Sequence, residues 1–368
     1  MRLAIALLAV LLSSLPVPPI GLASDGPCQQ GVQVADPPTL LATHVVAQAD
    51  GALTDLSFVP GQPALALVAS RDGRLQAVDV ATGRVEPSAD LGALVAGKSW
   101  DVALNSIAFD PDYPAVPRLW LTWLAQDGTA HLGRTDVATS WPFAASPDVE
   151  SVLTLAVPDR VHALGAVRVV DGHLWVGSGD NTFYGEAGAH MARDPASLRG
   201  KILQLEADDS FRPVVTGVRN PWRFDVRDGL LAIADVGKDH WEEIDAYRLG
   251  CVALPDFGWG AFEGRWARPG WDVPVDGILG PVASYGHDPA CAVIGGSLHG
   301  GHVAGLHGAF LTTDFCDNRL RVTWWDGAAW RSDLHPEVEV PSQAIVSGPD
   351  GESYVLGMDG AIHQIVAG

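Results

Sequence analysis

Residues 215–249 read VTGVRNPWRFDVRDGLLAIADVGKDHWEEIDAYRL. Gly217-Val218-Arg219-Asn220-Pro221 makes a tight turn. Phe224 and Val226 then alternate with polar neighbours, as a half-buried strand does. Asp228-Gly229 is a turn. Leu230 to Val236 is a short, nearly continuous apolar strand that ends at Gly237. Trp241, Ile244 and Tyr247 close the unit around Glu242-Glu243. Turn, strand, Asp-Gly, strand, Gly, strand is the pattern of an antiparallel meander.

The pattern returns along the chain. Ala64 to Ala69 precedes Arg71-Asp72-Gly73, and Leu119 to Trp123 follows Phe109-Asp110-Pro111-Asp112-Tyr113. Leu174 to Gly177 follows Asp171-Gly172, Phe310 to Phe315 follows His307-Gly308, and Tyr354 to Leu356 follows Asp350-Gly351. With the opening unit this makes six. Units recurring at about 40 to 50 residues are the signature of propeller blades. One four-stranded blade cannot bury both faces alone, so blades stack around an axis. The expectation is an all-β, six-bladed β-propeller over residues 41–368. The strand around His44-Val45-Val46 would complete the last blade. The long interval from about residue 251 to 290 holds Trp259, Trp266 and Trp271 and reads as a loop excursion over one face. No stretch shows the 3.6-residue periodicity of a helix.

Composition narrows the function. The formal charge of -21 excludes a nucleic-acid binder, which needs a basic footprint. The acidity suits a solubilised exported protein. Residues 1–23 read as a signal peptide: Arg2 supplies the positive start, Leu3 to Leu12 the apolar run, and Gly21-Leu22-Ala23 the cleavage site. Cleavage after Ala23 places the mature chain in the periplasm or outside the cell. No later apolar run reaches the ~20 residues of a membrane span. Residues 24–40, rich in Pro, Gly and Gln, read as an extended tail. Cys28, Cys251, Cys291 and Cys316 allow two disulfides in three connectivities. Cys291 and Cys316 open and close one blade, so the reading pairs them and leaves Cys28–Cys251 to tie down the tail.

Several strings carry a resemblance. Gly217 to Pro221, then Ala234-Asp235-Val236-Gly237-Lys238-Asp239-His240-Trp241-Glu242-Glu243-Ile244, resembles the quinoprotein glucose/sorbosone dehydrogenase family. The second string is closest to that family's hedgehog-interacting-protein-like branch. Asn105 to Tyr113, Leu174 to Asp180, Gly200 to Leu203, Phe257-Gly258-Trp259 with Phe262-Glu263-Gly264, Ile294 to Gly296 and Thr313 to Cys316 extend the likeness over most of residues 51–366.

The resemblance implies an oxidoreductase. In such enzymes a histidine removes a proton from a sugar hydroxyl, and hydride passes to pyrroloquinoline quinone (PQQ) held with Ca²⁺ on the axis. An external acceptor then takes the electrons. The matching base is His162, with Asp180 as its partner carboxylate. An imidazole suits the task because its pKa lies near working pH. Arg219 and Asn220 match the quinone contacts, where a guanidinium would stabilise developing negative charge. Asp101 matches a further cofactor contact. The backbone carbonyls of Gly237 and Lys238 match the Ca²⁺ donors.

This sequence also departs from the family. PQQ carries three carboxylates, which call for guanidinium partners. The family's basic positions fall on Gly300, Pro341 and Gln343, and Val161 replaces the polar residue before the histidine. Either other arginines, Arg223 or Arg319, serve instead, or the cavity does not hold PQQ in the usual way. The alternative is a non-catalytic propeller that binds a glycan or protein partner, with the Trp-rich residues 255–275 as an aromatic platform. His299, His302 and His307 fit no strong zinc spacing and read as solvated turn histidines.

Overall fold

The computed structural model describes residues 26–95, 103–182, 187–268 and 276–368. The signal-peptide stretch 1–23, Asp101 and Trp271 lie outside the described residues. The chain begins with β1 (Leu41–Gln48). The first blade holds β2 (Leu53–Val59), β3 (Gln62–Ser70), β4 (Arg74–Asp79) and β5 (Arg84–Asp90). The second holds β6 (Ala103–Phe109), β7 (Arg118–Leu124), β8 (Thr129–Asp136) and β9 (Glu150–Ala156). The third holds β10 (Leu164–Val170), β11 (His173–Ser178), β12 (Lys201–Leu205) and β13 (Phe211–Thr216), with helix α1 (Ala187–Arg193) between its second and third strands.

The fourth blade is the opening stretch itself: β14 (Pro221–Arg227), β15 (Leu230–Asp235) and β16 (Trp241–Arg248). A small hairpin, β17 (Phe262–Glu263) and β18 (Trp266–Ala267), intervenes before the blade's outer strand, β19 (Ala283–Gly286). Blade five runs β20 (Val293–Leu298), β21 (Phe310–Asp314), β22 (Arg319–Trp325), β23 (Trp330–Glu339). Blade six runs β24 (Ser342–Ser347), β25 (Ser353–Gly357), β26 (Ala361–Ala367), and β1 adds to its outer edge.

The ring is closed. The inner strands β2, β6, β10, β14, β20 and β24 touch in that order, and β24 returns to β2. Apolar clusters fill the wedges between blades. Leu67, Leu121 and Phe143 share one cluster, and Val176, Leu203 and Trp120 share another. The tail is fastened by Cys28–Cys251 across a separation of 223 residues, and Cys291–Cys316 closes the start of blade five. Among the described residues no helix is long and apolar enough to cross a membrane.

Each inner strand carries a register shift near its start: Leu53/Asp55, Leu104/Ser106, Leu164/Val167, Pro221/Arg223, Ile294/Ser297 and Ser342/Ala344. A bulge leaves one residue unpaired and re-aims its side chain. Six bulges at one level therefore make a collar around the axis. Helix α1 departs from the sequence reading. Its seven residues are too few to show an apolar period, and tertiary contacts hold it. The buried Lys201 ammonium binds the carbonyls of Met191 and Ala192 at 2.9 and 2.6 Å, matching a cation to a helix C-terminus.

Candidate active site

The axis is plugged below the collar. Arg223 is fully buried, and its guanidinium donates to the carbonyls of Thr54 (2.6 Å), Asn105 (2.9 Å) and Trp222 (2.8 Å). The next layer is a buried ion pair in which Arg168 grips both oxygens of Asp55 at 2.8 and 3.0 Å. This plug separates two cavities. The one at the strand ends, about 380 Å³, is walled by Phe58, Phe109 and Pro349. The one at the strand starts, about 270 Å³, is lined by Arg71, Asn105, Arg160, His162, Asn220, Trp222, Ile294 and Gln343 among others. Asn105, Trp222 and Gln343 sit within the collar's register shifts, so the collar supplies that cavity's polar wall.

His162 precedes β10 in a left-handed conformation (φ 51°), which is uncommon outside glycine. Its surroundings hold it there. Asn181 donates to its carbonyl at 2.5 Å, and a Cβ on Gly179 would overlap that same carbonyl. The ring Nδ1 lies 2.7 Å from Asp180 Oδ1. Asp180 in turn accepts from the Trp259 indole N–H at 2.9 Å and the Thr182 N–H at 3.1 Å. The carboxylate thus holds the ring in place through Nδ1.

The electrostatics agree. Burial first, then the Arg219 charge, hold the imidazole below its usual range, against the pull of Asp180. Burial would raise Asp180, but His162 and Arg219 outweigh it and hold the carboxyl below its usual range. The pair is therefore a neutral imidazole on an ionised carboxylate, the form a proton acceptor needs.

The structure places His162 and Asn220 on one cavity and sets Asp180 against the His162 ring. Arg219 does not line the cavity. It is 4% exposed, lies behind Trp259 with its guanidinium 5.3 Å from the ring centroid, and donates to the carbonyls of Val236 (2.8 Å) and Gly237. Through these bonds it positions the turn after β15. The expected stand-in arginines are also different. Arg223 is the plug, and Arg319 pairs with Asp317 at 2.9 Å and lines neither cavity. The arginines that line the cavity are Arg71 and Arg160. Arg71 bonds Gln343 at 3.3 Å, so the charge missing at position 343 is supplied by a neighbouring blade. Arg71 had read only as part of an Arg-Asp-Gly turn. Arg160 stands two residues before the candidate base, and that adjacency was its one signal.

A planar, anionic quinone fits this lining: two arginines, three amides and the Trp222 ring around one histidine. A Ca²⁺ on the Gly237 carbonyl fits less well. That oxygen already accepts from the Arg219 guanidinium, and the next side chain is the Lys238 cation, paired with Asp239 at 2.9 Å.

Two further expectations change. Trp259 is 5% exposed and spent on Asp180, so it offers no glycan platform. Trp266 is 39% exposed and stacks on Trp241. His299 is buried against Ser353 at 3.0 Å, whereas His302 is exposed and pairs with Glu352. Among the described residues the three do not make up a metal-ligand group.

Comparison with known proteins follows the same lines. The sequence profile of the glucose/sorbosone dehydrogenase family matches residues 53–362. The chain is 26% identical to the HIPL2 protein of Arabidopsis thaliana over 221 residues, covering 47% of this chain and 31% of that protein. It thus spans about a third of that relative's length. Among solved structures it is similar to the PQQ-bound aldose sugar dehydrogenase of Streptomyces coelicolor. That match has 19% identity and a TM-score of 0.69, over 90% of this chain and 99% of that one. It is also similar to the apo-form of the soluble aldose sugar dehydrogenase of Escherichia coli, with 19% identity and a TM-score of 0.65, over 89% of this chain and 100% of that one. At such identities the likeness is one of fold.

Proposed function

The chain belongs to the glucose/sorbosone dehydrogenase family, and from that membership and its axial cavity we propose that it is an exported, PQQ-dependent aldose dehydrogenase. The observation that carries the reading is the His162–Asp180 pair, 2.7 Å apart, at a cavity that also holds Arg71 and Arg160.

The His162 imidazole takes the proton of the sugar hydroxyl. Asp180 keeps the ring oriented and offsets the positive charge that the ring then acquires. Trp259 holds Asp180 in place and keeps water from its second oxygen. Arg71 and Arg160 would hold the carboxylates of the cofactor, and Asn220, Asn105 and Gln343 would offer it hydrogen bonds. Trp222 gives an aromatic surface for a planar ring. When bound, PQQ supplies the two-electron acceptor for the hydride. The two arginines favour this reading over a binding-only propeller, as does the loss of Trp259 as a platform.

Dye-linked oxidation of an aldose panel, with and without PQQ, tests the proposal. Quinone-dependent turnover is expected, and its absence across the panel would end the enzyme reading.

A further inference from the structure

The loop that carries Trp259 is closed by one side chain, Arg268, which lies outside every string that carried the resemblance. The loop leaves its turn at Gly258, sets down Trp259, forms the β17–β18 hairpin and reaches Arg268 directly after β18. Arg268 folds back on the loop's start. Its backbone N–H donates to the Ala261 carbonyl at 2.8 Å, and its guanidinium donates to the Gly260 carbonyl at 3.4 Å. The same guanidinium stands over the Trp259 ring, 4.4 Å from the centroid.

Trp259 thus meets two cations, since Arg219 also lies over the ring at 5.3 Å. The rest of the indole is enclosed. It packs with Ala189 and Ala192 of α1, and the Trp259 backbone N–H donates to the Gly217 carbonyl at 2.8 Å. From this seat the indole N–H reaches Asp180 Oδ2 at 2.9 Å, while Asp180 Oδ1 meets the His162 ring at 2.7 Å. A cation over an indole attracts the electron density of the ring face. The N–H at the ring's edge becomes a stronger donor as a result, and an ionised acceptor gains most from that. Arg219 is already committed to the Val236 and Gly237 carbonyls, whereas Arg268 approaches the ring more closely.

We propose that Arg268 is a positioning residue for the His162–Asp180 pair and acts through its cation–π contact with Trp259. Its guanidinium closes the loop over the indole, and its charge strengthens the bond from the indole N–H to Asp180. Asp180, so held, keeps the imidazole in one orientation. Arg268 is not among the residues that line the His162 cavity, so its effect falls on the chemical step rather than on binding. The kinetic part of this inference rests on the proposed role of His162 as the base. The structural part, Arg268 holding Trp259 on Asp180, does not.

Arg268→Gln and Arg268→Lys test it, with circular dichroism to verify folding. The glutamine keeps a donor for the Gly260 carbonyl but removes the charge, and the lysine keeps the charge. One readout is hydrogen exchange of the Trp259 indole N–H, whose resonance is assigned by its loss in Trp259→Phe. The other is steady-state oxidation of an aldose with PQQ and a dye. Arg268→Gln should exchange the indole proton about tenfold faster and lose about tenfold in kcat with KM unchanged, whereas Arg268→Lys should stay within about threefold of the wild type in both. Wild-type exchange or wild-type kcat in Arg268→Gln overturns the proposal. Equal impairment of the two variants also overturns it, because the charge is then not the agent. A wild type without quinone-dependent turnover ends the proposed function alone, and the exchange rates then decide whether Arg268 holds Trp259 on Asp180.

Discussion

His162 carries the chemistry only because of what surrounds it. General-base removal is worth about 10²- to 10⁴-fold in rate, so His162→Ala should lose that much dye-linked activity with an unchanged circular dichroism spectrum. Burial and Arg219 hold the ring below the ordinary histidine pKa of about 6.5. The base form therefore persists on acidification, and the acid limb of the kcat/KM profile should lie below pH 6.5. His299 gives a stability counterpart. Burial lowers its pKa to about 4. Between pH 6.5 and about 4 the unfolded chain binds the proton that the folded chain refuses, so stability falls as pH falls through that window. His299→Asn should show a smaller loss of Tm from pH 7 to 4.5 than the wild type. At this scale the sequence pointed to Asp180 and Asn220 through long distinctive strings, and to His162 only through its matching position in the family. It hid Arg71 and Arg160, whose meaning depends on which blades face each other.

The elements that place these residues are bulges and one loop. Glu263 anchors the loop: its Oε1 accepts the N–H groups of Lys238, Asp239, His240 and Trp241 at 2.7 to 3.1 Å. These are charge-assisted bonds to a largely buried carboxylate. Glu263→Gln should cost about 2 kcal/mol in urea denaturation, because the amide carries no charge for four donors to share. The strands of blade four could be read directly from the turn grammar of residues 215–249. The six-fold collar could not, since a bulge leaves no mark on alternation when its neighbours are buried on both faces. Helix α1 was hidden by its brevity.

The whole molecule is a ring closed by its own N-terminal strand and plugged at its centre. Removing residues 26–49 would strip β1 from β26, together with the Cys28–Cys251 link. Loss of such a disulfide alone costs about 2–5 kcal/mol. The truncated chain should unfold well below the wild-type Tm and lose its single cooperative transition. The ring was legible because its punctuation repeats. The plug was not, because Asp55, Ser106, Arg168 and Arg223 come from four different blades and meet only once the ring is closed. The same closure gathers Arg71, Arg160, Asn220 and Gln343 around His162, and that gathering is the core of the functional claim. Equilibrium titration with PQQ tests it most directly, comparing the wild type with the Arg71→Ala, Arg160→Ala double variant. The account predicts one site in the wild type and at least about a hundredfold weaker binding in the variant, with Tm little changed. Absence of binding in the wild type, or equal affinity in both proteins, would contradict it.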